Sequence, residues 1–166
     1  HRNIIYKDKR FKKFDVVSYQ IYLDEQEIQK LENLELPFQS KMDISRDFFL
    51  LAYYTGQRFS DTIQISTKVE GDYVRFYTVK GEDEVIIPLS SKAKYILNKY
   101  KNDFPLISLD TINNNLKEIG EMAGFSGQIE FKEERGGQTI LVKNKKYEMI
   151  STHTARRSTV TNLHSK

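Results

Sequence analysis

The chain has no cysteine and no tryptophan among its 166 residues, and only three prolines. Without thiols there is no disulfide framework, no thiolate metal site and no cysteine nucleophile, and a reducing compartment fits. Long apolar runs are missing too. The longest is about seven residues, Phe48 to Tyr54, against the ~20 that a membrane-spanning helix needs. The N-terminus carries no signal-peptide pattern. These absences predict a soluble protein of the cytoplasm, with no membrane association.

A large excess of one charge is also lacking: 26 Lys and Arg face 23 Asp and Glu, for a net charge of +3. The distribution is uneven. Residues 1 to 13 hold six cations and one acid, and residues 143 to 166 repeat that balance, so the 14 cations and 21 acids between them sum to −7. Two basic ends on an acidic body point to a polyanion touched at particular places rather than through a uniform basic shell. What is abundant is aromatic: ten Phe and ten Tyr, within a hydrophobic fraction of 39%. That is enough for one domain with a real core.

Residues 1 to 17 show no clear period and read as a linker. Asp24 with Glu27 forms a capping-box pattern, and Ile28, Leu31 and Leu34 recur at helical spacing until Pro37, predicting a helix over 25–34. A second, buried helix runs from Asp43 to a glycine stop at Gly56, and Ser60 is placed to cap a short third one ending at Ile65. The period then changes to two, predicting a hairpin with strands 73–79 and 84–88 and a turn from Lys80 to Asp83; Gly71-Asp72 turns an earlier short strand into it. Helical spacing returns at Ala93 to Tyr100 and at Ile112 to Met122. A second hairpin is predicted over 128–150 with Gly136-Gly137 at its turn, and a last helix starts near His153, capped by Ser151 or Thr152. The predicted class is mixed α/β, mainly helical with a small antiparallel sheet and no βαβ alternation.

Three polar sites stand out. In Thr55-Gly56-Gln57-Arg58-Phe59-Ser60-Asp61 a glycine-permitted bend brings Arg58 to the surface, where Asp61 is spaced to hold its guanidinium. Lys80 stands at a hairpin tip as a mobile cation and proton donor. His153 and Arg156, three residues apart, share one helix face, an arrangement that suits a phosphate. Taken singly, each is more often a solvated surface charge.

Together, and in this order, they resemble the catalytic domain of tyrosine recombinases, the integrase family of phages and conjugative transposons. The segment from Thr55 to Asp61 is similar to the family's first arginine box, Val79-Lys80 through Pro88-Leu89 to its lysine hairpin, and His153 through Asn162 to its second box. The resemblance covers residue 20 or so to the end of the chain and implies a catalytic domain over 18–166. It implies that Arg58 and Arg156 clamp the scissile phosphate of double-stranded DNA, that Lys80 protonates the leaving 5′ oxygen, and that His153 assists proton transfer. Asp61 would orient its neighbours, Arg157 would add a DNA contact, and no metal or cofactor would be needed. The complete protein would recombine or integrate DNA through a 3′-phosphotyrosine, as a tetramer on paired sites.

Two departures bear on activity. Gln57 stands where Leu or Met is usual before the box arginine. All ten tyrosines precede His153, the nearest being Tyr147, so none has the nucleophile's place in the order. The sequence therefore predicts a domain cut short before its nucleophile, inactive alone and monomeric. Two other readings stay open: a non-enzymatic DNA-binding or regulatory module on the same fold, and, more distantly, a metal-dependent nuclease using Asp43, Asp47 and Asp61.

Overall fold

Five consecutive buried residues, Phe48 to Ala52, dictate the architecture, because a helix that is apolar on every side must be covered on every side. They lie in helix α2, Lys41–Thr55. The computed structural model of the chain describes residues 20–80, 83–135 and 138–164; the predicted linker at 1–17 and the turn glycines Gly136 and Gly137 fall outside them. Around α2 pack α1 (Glu25–Asn33), α3 (Phe59–Ile65), α4 (Ser91–Lys99), α5 (Leu109–Met122) and α6 (Thr152–His164). Burying Phe48, Phe49, Leu50 and Leu51 stabilises the fold by roughly 1.5–3 kcal/mol each relative to exposure.

Local signals set most helix ends. Asp24 and Glu27 form the reciprocal capping box at α1, each side chain accepting the other's amide at 2.9 Å. Ser40 caps α2 by accepting the Asp43 amide, and Gly56 ends it in the left-handed conformation, φ 67°, that a side chain resists. The third helix departs from expectation. Its N-cap is Arg58, not Ser60, and the Arg58 side chain makes no capping bond. The ring of Phe59 packs on Phe48 with centroids 5.2 Å apart, which draws the helix start forward to residue 59. The cap of α6 is corrected as well: the Thr152 amide is met from α5, by Asn113 Oδ1 at 3.0 Å, and the Ser151 amide donates to Thr154 Oγ1.

The predicted small sheet is two sheets. Strands β1 (Val69–Glu70), β2 (Tyr73–Tyr77) and β3 (Glu84–Pro88) form an antiparallel meander, with Phe76 opposite Val85. Strand β2 stops at Tyr77, two residues early; Thr78 still donates to Asp83 O across the hairpin, and the Val79 amide then turns to a side chain on α3. The second sheet is the hairpin of β4 (Gln128–Arg135) and β5 (Gln138–Lys145), with Phe131 opposite Val142. It ends at Lys145 rather than 150. Residues Lys146–Met149 instead form a 3₁₀ turn, fixed by amide bonds from Lys146 to Gly127 O and from Tyr147 to Phe125 O. Ile150 and Tyr147 close over Gly120, where an added Cβ would meet Ile150 Cδ1 at 2.6 Å.

A buried ionic cluster fastens the N-terminal half of α2. Asp43 and Asp47 are almost wholly buried, and Lys99 of α4 reaches both, at 2.6 and 2.7 Å. Arg46 binds the same two carboxylates and donates to the free carbonyl of Leu34 just past α1. Tyr100 donates to Asp47 Oδ2 at 2.9 Å. Burial first, then the Asp47 charge, hold that phenol well above the ordinary tyrosine range, so it remains a donor. Removing Asp47 leaves Asp43 as the single carboxylate for two largely buried cations and takes the acceptor from the Tyr100 hydroxyl. Asp47→Ala is expected to lower the unfolding free energy by about 3–5 kcal/mol in urea titration, and a loss under ~1 kcal/mol would show that Lys99 and Arg46 find water instead.

Candidate phosphate-binding site

The arginine bend begins at the C-terminal end of α2. Past Gly56 the chain turns sharply, and Gln57 Nε2 donates to Thr55 O at 3.1 Å, so the unusual glutamine stiffens the bend. The carbonyl of Arg58 accepts from the amides of Asp61 and Thr62 and from Thr62 Oγ1, which fixes its backbone while its side chain stays partly exposed.

Asp61 does not hold the guanidinium as its spacing predicts. It is 1% exposed, and its Oδ1 accepts the amide of Val79, 18 residues on, at 3.0 Å. Its Oδ2 has no hydrogen-bond partner among the described residues. The carboxylate thus ties the first turn of α3 to the residue beside Lys80, and so joins the arginine bend to the lysine hairpin. Lys80 itself is exposed in the turn after β2.

Helix α6 is held by hydroxyls as much as by apolar contact. Thr159 Oγ1 donates to Tyr53 O at 2.6 Å, and Thr159 Cγ2 lies 3.5 Å from where a Cβ on Gly56 would stand. Ser158 Oγ accepts the amide of Leu23 at 2.8 Å, and Asn162 Nδ2 donates to Leu23 O. With Thr154, Ala155 and Ser158 buried, the opposite face carries His153, Arg156 and Arg157 outward. Those three line one open cleft of about 460 Å³ together with Gln20, Ile21 and Tyr22. Arg157 also donates to Ile21 O at 3.4 Å. Burial lowers its pKa from the ordinary guanidinium value, a direction that still leaves an arginine charged at neutral pH.

The predicted residues therefore fall into two groups. His153, Arg156 and Arg157 share the cleft; Arg58 and Lys80 are not among its lining residues. Both groups are attached near the end of α2: Arg58 is two residues past Gly56, and Arg156 is three residues before Thr159, which packs beside Gly56. None of the ion pairs among the described residues uses Arg58, Lys80, His153, Arg156 or Arg157. Cations left without acidic partners keep their hydrogen-bonding capacity for an anion. Tyr147 sits elsewhere, packed on Gly120 of α5. Asp43 and Asp47 are occupied by Arg46 and Lys99, and no group of three or more His, Asp or Glu suited to a metal ion occurs among the described residues. Tyr22 was not legible as a site residue, although the buried–exposed–buried alternation of Ile21, Tyr22 and Leu23 is a strand-like signal that points it outward.

The chain matches no protein-family model, no curated protein and no solved structure. Among the described residues, no helix is long and apolar enough to cross a membrane.

Replacing Asp61 by Ala leaves the Val79 amide without its acceptor, so hydrogen exchange at Val79 is expected to accelerate and stability to fall by about 1–3 kcal/mol. Asp61→Asn keeps an acceptor oxygen and is expected to retain most of the protection. Unchanged exchange at Val79 in Asp61→Ala would mean that the hairpin is held by other contacts.

Proposed function

We propose that this chain is the phosphate-binding part of a tyrosine-recombinase catalytic domain, acting on double-stranded DNA. The observation that carries the proposal is the pairing of two links at one end of α2. Asp61 joins the Arg58 bend to the Lys80 hairpin, and Gly56 with Thr159 joins the same bend to the His153 and Arg156 helix. Side chains up to about 100 residues apart in sequence are thereby anchored to one buried helix, with their charges unpaired among the described residues.

The chemistry follows from the groups. Two guanidiniums make forked hydrogen bonds to non-bridging phosphate oxygens and stabilise the extra charge of the pentavalent transition state. An exposed lysine on a hairpin tip reaches a leaving 5′ oxygen to protonate it, and an imidazole on the clamp helix transfers a proton near neutral pH. A tyrosine hydroxyl attacking the clamped phosphate would form a 3′-phosphotyrosine and release the 5′ oxygen, conserving the energy of the cleaved bond for rejoining. Tyr147 does not serve, because it is packed on α5.

Binding to duplex DNA should fall with salt through counterion release. In fluorescence-anisotropy titrations, Arg156→Ala is expected to weaken binding roughly 10- to 100-fold and to make the log–log salt slope shallower by about 1. Equal slopes for the variant and the parent would place Arg156 off the DNA and remove the main support for the proposal.

A further inference from the structure

The wall of the cleft facing α6 is as specific as the clamp. Residues 20–23 run alongside α6 and are bonded to it at three points: Arg157 to Ile21 O, the Leu23 amide to Ser158 Oγ, and Asn162 to Leu23 O. Ile21 and Leu23 are buried, so the alternation of an extended chain leaves Tyr22 turned outward, 47% exposed, on a backbone that is not free to move. Its ring lines the cleft with Gln20, His153, Arg156, Arg157 and the exposed methyls of Val160. Lys146 places Nζ 5.9 Å from the ring centroid, and its charge is balanced by Glu27 at 2.6 Å.

A phosphate alone does not need this wall. The cleft, about 460 Å³ and open to solvent, has room beside a phosphate for further contacts. One side offers two guanidinium groups and an imidazole, without acidic partners among the described residues; the other offers an exposed aromatic ring. Aromatic rings beside a basic track hold nucleic acid by stacking on its bases, and stacking requires a base that is not already paired.

We propose that Tyr22 is a base-stacking contact for single-stranded DNA, receiving an unpaired base next to the phosphate held by Arg156 and Arg157. This rests on the reading of the cleft as a DNA-phosphate site. It adds that the cleft also takes single-stranded DNA, whose base is free to stack, and that residues 20–23 are part of that interface.

The test compares a short single-stranded oligonucleotide carrying 2-aminopurine with a duplex of the same sequence. Tyr22→Leu is expected to weaken single-strand binding roughly 5- to 150-fold and to abolish quenching of the 2-aminopurine, while duplex affinity and the thermal unfolding midpoint stay unchanged. Tyr22→Phe, which keeps the ring, should bind and quench like the parent. Unchanged single-strand affinity and quenching in Tyr22→Leu would overturn the proposal, as would equal losses on both DNAs. If Arg156→Ala still weakens duplex binding in that case, the phosphate site stands and only the stacking role is lost. If Arg156→Ala affects neither DNA, the phosphate reading fails first.

Discussion

The structure depends on the burial of α2 from all sides. The run Phe48, Phe49, Leu50, Leu51 and Ala52 is buried on successive sides of the helix, so five other helices pack around it, and the polar groups described above gather towards its two ends. At the N-terminal half the polar demand is met internally. Asp43 and Asp47 are neutralised by Arg46 and Lys99 and satisfied further by Tyr100. At the C-terminal end the helix stops at Gly56 and the chain reverses, so the residues that follow emerge from a rigid support. A site built there inherits the stiffness of the core, which is what preorganised electrostatic catalysis requires.

The division of labour on α6 follows from the same constraint. Its inner face carries Thr154, Ser158, Thr159 and Asn162, polar groups that would be costly to bury unpaired. Each finds a partner: Thr154 accepts from Ser151, and Ser158, Thr159 and Asn162 bond to Leu23 and Tyr53. These bonds are directional, so they fix the rotation of the helix about its axis as apolar packing alone does less well. The rotation in turn decides that His153, Arg156 and Arg157 face the cleft together.

Much of the fold is legible in the sequence where the cause is local. The Asp24 and Glu27 box, the Gly56 stop and the period-two run from Tyr73 to Tyr77 each act within a few residues and appear where their chemistry predicts. What the sequence hides is contact at a distance. Asp61 is spaced to pair with Arg58, yet it bonds to Val79, 18 residues on; the α6 cap comes from Asn113, 39 residues back; the Tyr22 wall is pinned to a serine 135 residues beyond Leu23. The split of one expected sheet into two has the same origin, because strand pairing is local to each hairpin and nothing in the pattern says whether two hairpins join. For the candidate site, the residue types and their order could be read directly, whereas the grouping of Arg58 with Lys80 and of His153 with Arg156 and Arg157 needed the fold.

The central claim is that Arg58 and Arg156, anchored on either side of the Gly56 and Thr159 contact, act on one phosphate. A double-mutant cycle on duplex DNA affinity, using Arg58→Ala, Arg156→Ala and the double variant, measures it directly. Two groups on one phosphate should be coupled by about 0.5–3 kcal/mol, the second substitution costing much less once the first is made. Losses that add within about 0.3 kcal/mol would assign the two arginines to separate contacts and contradict the account.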